Sequence, residues 1–486
     1  MTEESNVFLL SCPTTRSEPR RQAHPVSRII EKKEPTVRII IVGAGQVGYH
    51  LCERFSKEDQ EVILIDNDKT KLQRIERDLN IMTVHGSGAS ARVLAEAGIA
   101  KTDLFIAVTD SDEINLISCI MSRPYAVTTR VARVKNNDFL EEGLFHEKND
   151  LGIDLIISPD VALSEAVIDL CQVSAAFHMA EFANGRLILL GYKIYKHNPR
   201  VGMNLLEFSK LHGSHRFIIT AIIREGRTII PRGNDQIMAD DKIYVTVRRH
   251  EIGAVEKIFA IRSKPPDRVF IIGGGTIGYM VARRLEDMNV NVIIVEISKA
   301  RCEFLSENLN RAIVLNCDGL EARDLLEEGI DQADLVISLT ESDTTNILSS
   351  LLAKHHGAKK CITRITRHDF VPLLGNLGID AALSSRQVAA SMILRYVRRG
   401  VVGAVATIMD SDAEAMEMRV PAREKFNQVH LKDLDFPPGS IVGAIVRDQR
   451  VLLPTGETII EIGDNLVIFF TKQAAAALEK FLSEEG

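Results

Sequence analysis

The strongest constraint on the fold of this chain is a glycine-rich segment that occurs twice. Residues 37–66 read VRIIIVGAGQVGYHLCERFSKEDQEVILID, and residues 269–296 read VFIIGGGTIGYMVARRLEDMNVNVIIVE. In each copy a short β-branched run meets a G-x-G-x-x-G turn, a helical pattern follows, and a second strand ends in an acidic residue. The two turns lie 230 residues apart. A repeated signal of this kind is far more specific than a single glycine-rich turn.

Each residue type in the first copy suits a bound dinucleotide. Gly43 allows a tight turn, Gly45 lets a pyrophosphate approach the backbone, and Gly48 lets the helix pack closely on the strand. The start of the helix offers free N–H groups and partial positive charge to phosphates. Asp66 can accept hydrogen bonds from ribose hydroxyls and would repel a 2′-phosphate, which favours NAD or an adenosine nucleotide over NADP. A turn without a ligand is the alternative. The corresponding residues of the second copy are Gly273, Gly275, Gly278 and the longer acid Glu296.

Alternating strand and helix patterns after each turn predict an α/β fold. The first unit has strand patterns at 37–42, 62–65, 81–84, 104–108, 128–134 and 153–157, with helical patterns such as 68–78 and 114–121 between them. Strands separated by helices of this length form a doubly wound parallel sheet. The second unit matches the first segment by segment, so the sequence predicts two Rossmann-like domains in tandem.

Polar residues follow the later strands in both units, at the sheet edge where ligands of such folds bind. One segment recurs, as Thr109-Asp110-Ser111-Asp112…Asn115 in the first unit and as Thr340-Glu341-Ser342-Asp343…Asn346 in the second. Arg133 corresponds to Arg364. We expect Thr109, Asp110, Thr340 and Glu341 to touch the adenosine half of a nucleotide, and the two arginines to meet phosphate. For Ser111 and Ser342 a helix N-cap is the favoured interpretation. For each arginine a surface ion pair remains open.

Each sheet unit runs into a helix and then into a second kind of repeat. The helices, residues 161–171 and 388–397, have two equal alternatives: packing on a partner subunit, or packing back on their own domain. The repeat pairs residues 221–241 with residues 444–464, including the turns Pro231-Arg232-Gly233 and Pro454-Thr455-Gly456. It predicts a small α+β domain after each sheet unit. The predicted boundaries are a tail at 1–36, domain A at 37–158, domain B at 175–261, domain A′ at 267–385 and domain B′ at 403–486.

Composition narrows the class of protein. The net charge of −7, with no large basic block, argues against nucleic acid as a partner. Seven cysteines are an odd number without C-x-x-C spacing, which favours free thiols in a reducing compartment over disulfides or a zinc site. No apolar run approaches the ~18 residues of a transmembrane helix. Residues 1–36 lack periodicity and are rich in Pro, Arg, Ser and Thr, so we predict a disordered tail.

The chain lacks the groups that an enzyme on this scaffold needs. A dehydrogenase requires an acid or base beside its cofactor, and no histidine or lysine recurs in matching loops of the two copies. H-E-x-x-H, P-loop and G-x-S-x-G motifs do not occur. We therefore predict a nucleotide sensor without catalytic or metal residues. An NAD-dependent oxidoreductase is the enzyme alternative, and a soluble nucleotide-sensing scaffold without a membrane partner is the third.

These motifs together resemble the RCK family, the regulators of potassium conductance. The resemblance rests on the G-A-G-Q-V-G turn, the T-[DE]-S-D-x-x-N segments, the A-R-V and T-R-I strands and the small domains, and it covers residues 37–486. The duplication is similar to that of the cytosolic regulatory subunit of Trk-type bacterial potassium uptake systems. It implies a homo-tetrameric ring, peripheral on the inner face of the membrane, beneath an integral-membrane potassium-translocating subunit of the TrkH/TrkG kind.

The resemblance also implies the ligands and their sites. Domains A and A′ would bind NAD(H), with ATP or ADP as alternative ligands, and their occupancy would gate ion flow. The first site would comprise Gly43, Ala44, Gly45, Gln46, Val47, Asp66, Thr109, Asp110 and Arg133. The second site would comprise Gly273, Gly274, Gly275, Thr276, Ile277, Glu296, Thr340, Glu341 and Arg364. One departure is the turn after the third strand, where the family often has G-D-A and this chain has Gly86-Ser87-Gly88 and Cys317-Asp318-Gly319.

Overall fold

The computed structural model describes residues 37–57, 60–136, 139, 151–173, 175–212, 217–261, 264–367, 370–375, 377–397, 405–407, 413–420 and 424–483. The predicted tail, residues 1–36, lies outside these ranges. Within them, no helix combines the length and the hydropathy that a membrane span requires.

Domain A is a parallel sheet with helices on both faces. In chain order it contains β1 (Arg38–Val42), α1 (Gln46–Lys57), β2 (Glu61–Asp66), α2 (Lys69–Asp78), β3 (Met82–His85), α3 (Ala91–Glu96), β4 (Leu104–Ala107), α4 (Asp112–Met121), β5 (Thr129–Arg133) and β6 (Leu155–Ile157), and α5 (Pro159–Gln172) follows it. The strand order is β3-β2-β1-β4-β5-β6. Because the chain crosses from β3 to β4 on the far side of β1, the sheet is doubly wound, as predicted.

Domain B, which follows α5, is an antiparallel sheet with short helices. It contains β7 (His178–Phe182), β8 (Leu187–Lys193), α6 (Leu205–His212), β9 (Phe217–Arg224), β10 (Arg227–Ile229), β11 (Lys242–Arg248) and α7 (Ile252–Ile258). The strand order is β10-β9-β11-β8-β7. An ion pair with a fully buried carboxylate holds the turn before β11, since both carboxylate oxygens of Asp241 accept hydrogen bonds from Arg224 at 2.8 and 2.9 Å.

Domains A′ and B′ repeat this order. A′ contains β12 (Arg268–Ile272), α8 (Thr276–Asp287), β13 (Asn291–Glu296), α9 (Lys299–Asn308), β14 (Ile313–Asn316), α10 (Ala322–Glu327), β15 (Leu335–Ser338), α11 (Asp343–His356), β16 (Lys360–Arg364), α12 (Val371–Leu374) and β17 (Ala381–Leu383), and α13 (Ser385–Val397) follows it. B′ contains β18 (Val405–Thr407), β19 (Ala413–Arg419), β20 (Val429–His430), β21 (Ser440–Arg447), β22 (Arg450–Leu452), β23 (Ile459–Ile460), β24 (Asn465–Thr471) and α14 (Ala475–Ser483). The strand orders are β14-β13-β12-β15-β16-β17 in A′ and β18-β19-β24-β21-β22 in the larger B′ sheet. The predicted tandem duplication is confirmed.

The apolar strands of A are buried on both faces, which explains their unbroken β-branched runs. Ile39 and Ile41 pack in the core that holds α1, whereas Ile40 and Val42 pack in the core that holds α3 and α4. The sheet thus separates two apolar cores, and the carboxyl ends of its strands form one edge of the sheet.

The two connecting helices are exchanged between the sheet domains. Helix α5, which follows A, contributes Leu163 and Val167 to the core of A′. Helix α13, which follows A′, contributes Ile393 and Leu394 to the core of A. The alternative that each helix packs back on its own domain is wrong, because each helix packs on the other copy within the same chain, and packing on a partner subunit stays a prediction. The periodicity of each helix fixed its apolar stripe but not the surface that the stripe covers.

Hydrogen bonds secure the exchanged helices. The ammonium of Lys360 in A′ is buried and donates to the carbonyls of Leu170 at 3.2 Å and Ala176 at 2.7 Å, at the end of α5. Burial lowers the pKa of Lys360 to about 8. The hydroxyl of Tyr396 in α13 donates to the carbonyl of Asp154 in A at 3.0 Å.

The B and B′ sheets pack face to face. Their shared core contains Leu189 and Tyr244 from B, and Ala415 and Phe469 from B′. The hydroxyl of Thr246 donates to the carbonyl of Gly443 at 3.0 Å across the interface. The chain thus forms a pseudo-symmetric pair in which A lies with α13, A′ lies with α5, and the two small domains join the halves.

The six cysteines that the structure describes are free thiols. Burial raises the pKa of four of them to about 12, namely Cys52, Cys119, Cys171 and Cys361. Thiols with such values stay protonated near neutral pH and are poor nucleophiles.

Candidate functional site

The first glycine-rich turn has the geometry that its sequence predicts. Gly43 has a φ of +111°, and a Cβ atom there would lie 2.8 Å from the backbone nitrogen of Thr109. A Cβ atom at Gly48 would lie 1.8 Å from the carbonyl oxygen of Gly43. The second turn agrees closely, since the corresponding distances at Gly273 and Gly278 are 2.9 and 2.1 Å. Both positions exclude a side chain because protein backbone occupies the space.

The middle glycine of each turn faces open space instead. A Cβ atom at Gly45 or Gly275 would meet no protein atom within 4 Å. Both glycines directly precede a helix, α1 or α8, so the N–H groups of the first helical turn lie beside this space. Gln46 and Thr276 are exposed there. Val47 and Ile277 have side chains buried in the cores, so only their backbone N–H groups can serve an anion.

The acid of the first copy is held against the turn. One carboxylate oxygen of Asp66 accepts a hydrogen bond from the N–H of Ala44 at 2.5 Å, and the other accepts from the N–H of Asp68 at 2.7 Å. Asp66 is 8% exposed. A carboxylate has about four lone-pair positions, so each oxygen retains acceptor capacity for a ribose hydroxyl.

The acid of the second copy makes the same pair of contacts despite its extra methylene. Glu296 accepts from the N–H of Gly274 and from the N–H of Ser298, each at 2.8 Å. Space for the longer side chain comes from Gly274, where a Cβ atom would lie 3.3 Å from the Cβ of Glu296 and 2.4 Å from a methyl of Leu305. The first copy has Ala44 with the shorter Asp66. The glycine and the glutamate are thus a matched pair.

The second turn also accepts a hydrogen bond from an arginine, where the first copy has a lysine. The guanidinium Nε of Arg301 donates to the carbonyl of Gly274 at 2.7 Å, and its plane lies 4.3 Å from the ring centre of Phe304. Lys71 takes the equivalent position in the first copy and is exposed. Sequence reasoning passed over Arg301 because the residue is not repeated.

A buried asparagine organises the loop after the fourth strand. The side-chain oxygen of Asn115 accepts from the N–H of Thr109 at 2.8 Å and from its hydroxyl at 2.7 Å. Its amide donates to the carbonyls of Thr109 and Arg133 at 3.0 and 2.9 Å. Asn346 makes the same four contacts with Thr340 and Arg364, at 2.7–3.0 Å. The asparagines therefore hold two predicted residues of each site together.

The aspartates of the same segments tie down the neighbouring loop. The carboxylate of Asp112 accepts from the N–H groups of Lys135 and Asn136, and that of Asp343 accepts from Thr366 and Arg367. Sequence reasoning assigned these aspartates and the asparagines no role, although both recur in the repeated segment. The serines before the aspartates cap α4 and α11, accepting from Ile114 and Thr345, so the N-cap interpretation is confirmed.

Arg133 lies in an ion pair. Its guanidinium donates to the carbonyl of Thr109 at 3.0 Å and to the carboxylate of Asp110 at 3.1 Å. The hydrogen bond from Arg133 lowers the pKa of Asp110. Arg364 approaches the carbonyl of Thr340 at 3.5 Å. Glu341, the counterpart of Asp110, is exposed.

Strand order divides the predicted residues into two groups. Asp66 ends β2, on one side of β1, whereas Thr109 and Asp110 follow β4 on the other side. Thr340 and Glu341 follow β15, on the far side of β12 from Glu296. Contact of these residues with the adenosine half of a nucleotide therefore stays a prediction.

Comparison with known families finds matches to both kinds of domain. The TrkA-N domain model matches residues 39–159 and 269–385. The TrkA-C domain model matches residues 189–260 and 415–483. Together the four matches extend over most of the chain.

Relatives match over nearly their whole length. The chain is 36% identical to the Trk system potassium uptake protein TrkA of Haemophilus influenzae, over 91% of this chain and 98% of that protein. It is 36% identical to that of Halomonas elongata, over 89% and 95%. The crystal structure of the GsuK RCK domain has a TM-score of 0.57 at 19% identity, covering 95% of this chain and 98% of that one. The GsuK channel bound to NAD has a TM-score of 0.57 at 19% identity, covering 95% and 81%. These structures share the fold.

Proposed function

We propose that this chain, which belongs to the family of the Trk system potassium uptake protein TrkA, is a regulatory subunit that senses nucleotides at two sites. Its relatives are named as potassium uptake proteins. On this proposal, binding of NAD(H), or of ATP or ADP, to domains A and A′ controls potassium flux through an integral-membrane partner. The chain itself carries out no reaction.

The observation that carries the proposal is the pair of open cradles. Gly43 and Gly48 lack side chains because backbone fills the space, but Gly45 has room for a side chain and lacks one. Space of this kind beside a helix N-terminus suits the close approach of a pyrophosphate. The identical arrangement at Gly275 supports a second site.

The acids set the nucleotide class. Asp66 and Glu296 sit beside the cradles with both oxygens fixed by backbone N–H groups. A fixed carboxylate accepts from ribose hydroxyls and repels a 2′-phosphate. We infer that both sites bind unphosphorylated adenosine riboses, with Thr109, Asp110 and Arg133 facing the distal part of the ligand in the first site. Thr340, Glu341 and Arg364 have that role in the second site.

The partner and the assembly are part of the proposal. A potassium-translocating membrane subunit of the TrkH/TrkG kind and a tetrameric ring of this chain on the inner membrane surface would let domain motions act on a pore. The relatives' names support the potassium system, and the joined B–B′ sheets connect the two halves of the chain on which such motions would act.

Calorimetric titration with NAD, NADH, ATP and ADP tests the proposal. Wild type should bind with two classes of site, and Asp66→Ala and Glu296→Ala should each remove one class. Two variants that bind like wild type would refute the site assignment. Steady consumption of NADH with 2-keto acids would refute the regulatory role and favour an oxidoreductase. Reconstitution with the membrane subunit, followed by nucleotide-dependent potassium flux, tests the gating step.

A further inference from the structure

We propose that an ion pair between Arg54 and Glu414 carries the occupancy of the first nucleotide site to domain B′, and that the second site lacks this connection. The inference rests on the proposed function, since it requires a nucleotide in domain A. Its consequence is that the two sites of one chain are mechanically unequal, although their cradles share three glycines and an acid at the same spacing.

The contact joins residues that are 360 positions apart. The two terminal nitrogens of Arg54 donate to the two carboxylate oxygens of Glu414 at 2.7 and 2.9 Å. The side chains are only 18% and 13% exposed. A two-armed pair of this kind fixes orientation as well as distance, and limited exposure reduces its screening by salt.

Arg54 lies at the opposite end of the helix that holds the phosphates. Helix α1 begins with Gln46, directly after the open Gly45, and Arg54 is in its last turn. A helix of this length behaves as a rod of about 18 Å. A shift at the phosphate end therefore moves the guanidinium end.

Glu414 lies on the strand that joins B′ to B. Its neighbours Ala413 and Ala415 are fully buried in the core shared with B. Since successive side chains of a strand point to opposite faces, Glu414 points away from that core and toward α1. Strand β19 thus has α1 on one face and domain B on the other, so a displacement of α1 reaches the B–B′ interface.

The second copy has no equivalent ion pair within the described residues. Arg284 is the counterpart of Arg54, by the offset of 230 residues, and it is exposed. The register of β8 with β11 makes Ile188 the counterpart of Glu414, whose partner in β24 is Phe470. Ile188 is fully buried in the core of B. The apolar contacts of the exchanged helices are common to both halves, whereas the ion pair is a contact that the matching positions of the second half do not make.

Hydrogen exchange of residues 413–419 tests the inference, with NAD as the probe. The full chain would carry Gly275→Val, which puts a side chain into the second cradle and leaves the first. We expect saturating NAD to slow exchange in this segment by about fivefold or more, and by less than about twofold after Arg54→Gln, in line with usual coupling strengths. Arg284→Gln is the matched control and should behave like the parent.

A charge exchange separates coupling from simple destabilisation. The double variant Arg54→Glu with Glu414→Arg should restore the NAD-dependent slowing, whereas Glu414→Gln should lose it. Unchanged slowing in Arg54→Gln, with NAD still bound, overturns the coupling but leaves the proposed function intact. Failure of the parent to bind NAD in calorimetry overturns both. Should Arg54→Gln prove unstable, the charge exchange and Glu414→Gln decide the question.

Discussion

Replacing the middle glycine of the first turn should separate ligand binding from folding. Gly45→Ala adds a methyl group where no protein atom lies within 4 Å. We therefore expect the variant to fold like wild type and to lose affinity for adenine nucleotides at the first site. Gly43→Ala, two residues earlier, should mainly destabilise the fold. Its Cβ atom would lie 2.8 Å from the nitrogen of Thr109, at a φ of +111°.

The structure gives the magnitude of each effect. At Gly45 the loss of a good N-cap costs a few tenths to about 1 kcal/mol, and the reduced freedom of the unfolded chain returns about 0.4–1 kcal/mol. The net change in unfolding free energy should be within about 0.5 kcal/mol. The methyl group displaces a phosphate from charge-assisted hydrogen bonds worth about 1.5–3 kcal/mol, which is roughly a 10- to 100-fold loss of affinity. At Gly43, the unfavourable φ alone costs about 1–2 kcal/mol, and the clash adds to it.

Thermal denaturation and calorimetry on the same samples provide the test. Gly275→Val should be present in all samples so that only the first site binds NAD. Gly45→Ala should melt with the parent in the absence of NAD and fail to gain stability when NAD is added, because a ligand stabilises only the state it binds. Gly45→Ala with parental affinity would show that the open space is not a phosphate cradle. Gly43→Ala with parental stability would refute the reading of the turn.

Three further changes test buried polar contacts that stabilise the fold. Asn346→Ala should lower the unfolding free energy by roughly 3 kcal/mol, because a fully buried side chain with four hydrogen bonds is lost; thermal denaturation measures this, and a change under about 0.5 kcal/mol would contradict it. Arg447→Ala should lower the unfolding free energy by about 3 kcal/mol, because Asp464 is 2% exposed and would lose both hydrogen bonds from the guanidinium. Arg450→Ala, at an exposed position of the next strand, is the control in the same assay. Lys360→Met should remove a pH-dependent contribution to stability. The pKa of Lys360 in the folded protein, about 8, lies below the ordinary value of 10.5. Between these two pH values the unfolded chain binds one proton more than the folded protein. The unfolding free energy of wild type therefore rises by ~3 kcal/mol as pH increases through this range. The difference between the two urea-denaturation curves isolates this gain from the buried thiols, and equal pH profiles would refute it.

The parts of the fold that could be predicted are those written in local patterns. The β-branched runs before Gly43 and Gly273 and the polar residues after them determine strand, turn and helix within a few residues. The observed strands start and end within about two residues of the predicted ones, which is the usual uncertainty of element boundaries. The doubly wound order follows because right-handed crossovers leave few alternatives.

The exchange of α5 and α13 could not be predicted in this way. An apolar stripe specifies that a helix is covered but not by what, and Leu163 fits a core of its own domain as well as one of the other copy. Lys360 shows the same limit. Its ammonium donates to the backbone carbonyls of Leu170 and Ala176. Every residue has a backbone carbonyl, so the sequence does not indicate this contact.

Within the site, repetition between the two copies was the sequence signal that indicated functional residues, and it failed in two ways. Residues that recur, such as Asn115 and Asn346, were visible but received no role, because a buried asparagine serves the loop and not the ligand directly. Residues that differ between the copies were harder to interpret, and Arg301 was overlooked. Arg301 and the pair of Gly274 with Glu296 became meaningful only when the distances showed that a shorter neighbour makes room for a longer acid.

Duplication on a single chain allows the two halves to diverge in ways that a symmetric dimer of identical chains cannot. Two copies of one sequence must place the same residue in both cradles, so an Arg54–Glu414 contact would occur twice. Here Arg284 and Ile188 occupy the matching positions. A ligand can shift an equilibrium only through differential affinity for the two states, and such a difference requires contacts that change on binding. The first site has a direct polar contact with B′, whereas the matching positions of the second site do not form one. The first site is therefore the one at which occupancy should alter the packing of the small domains.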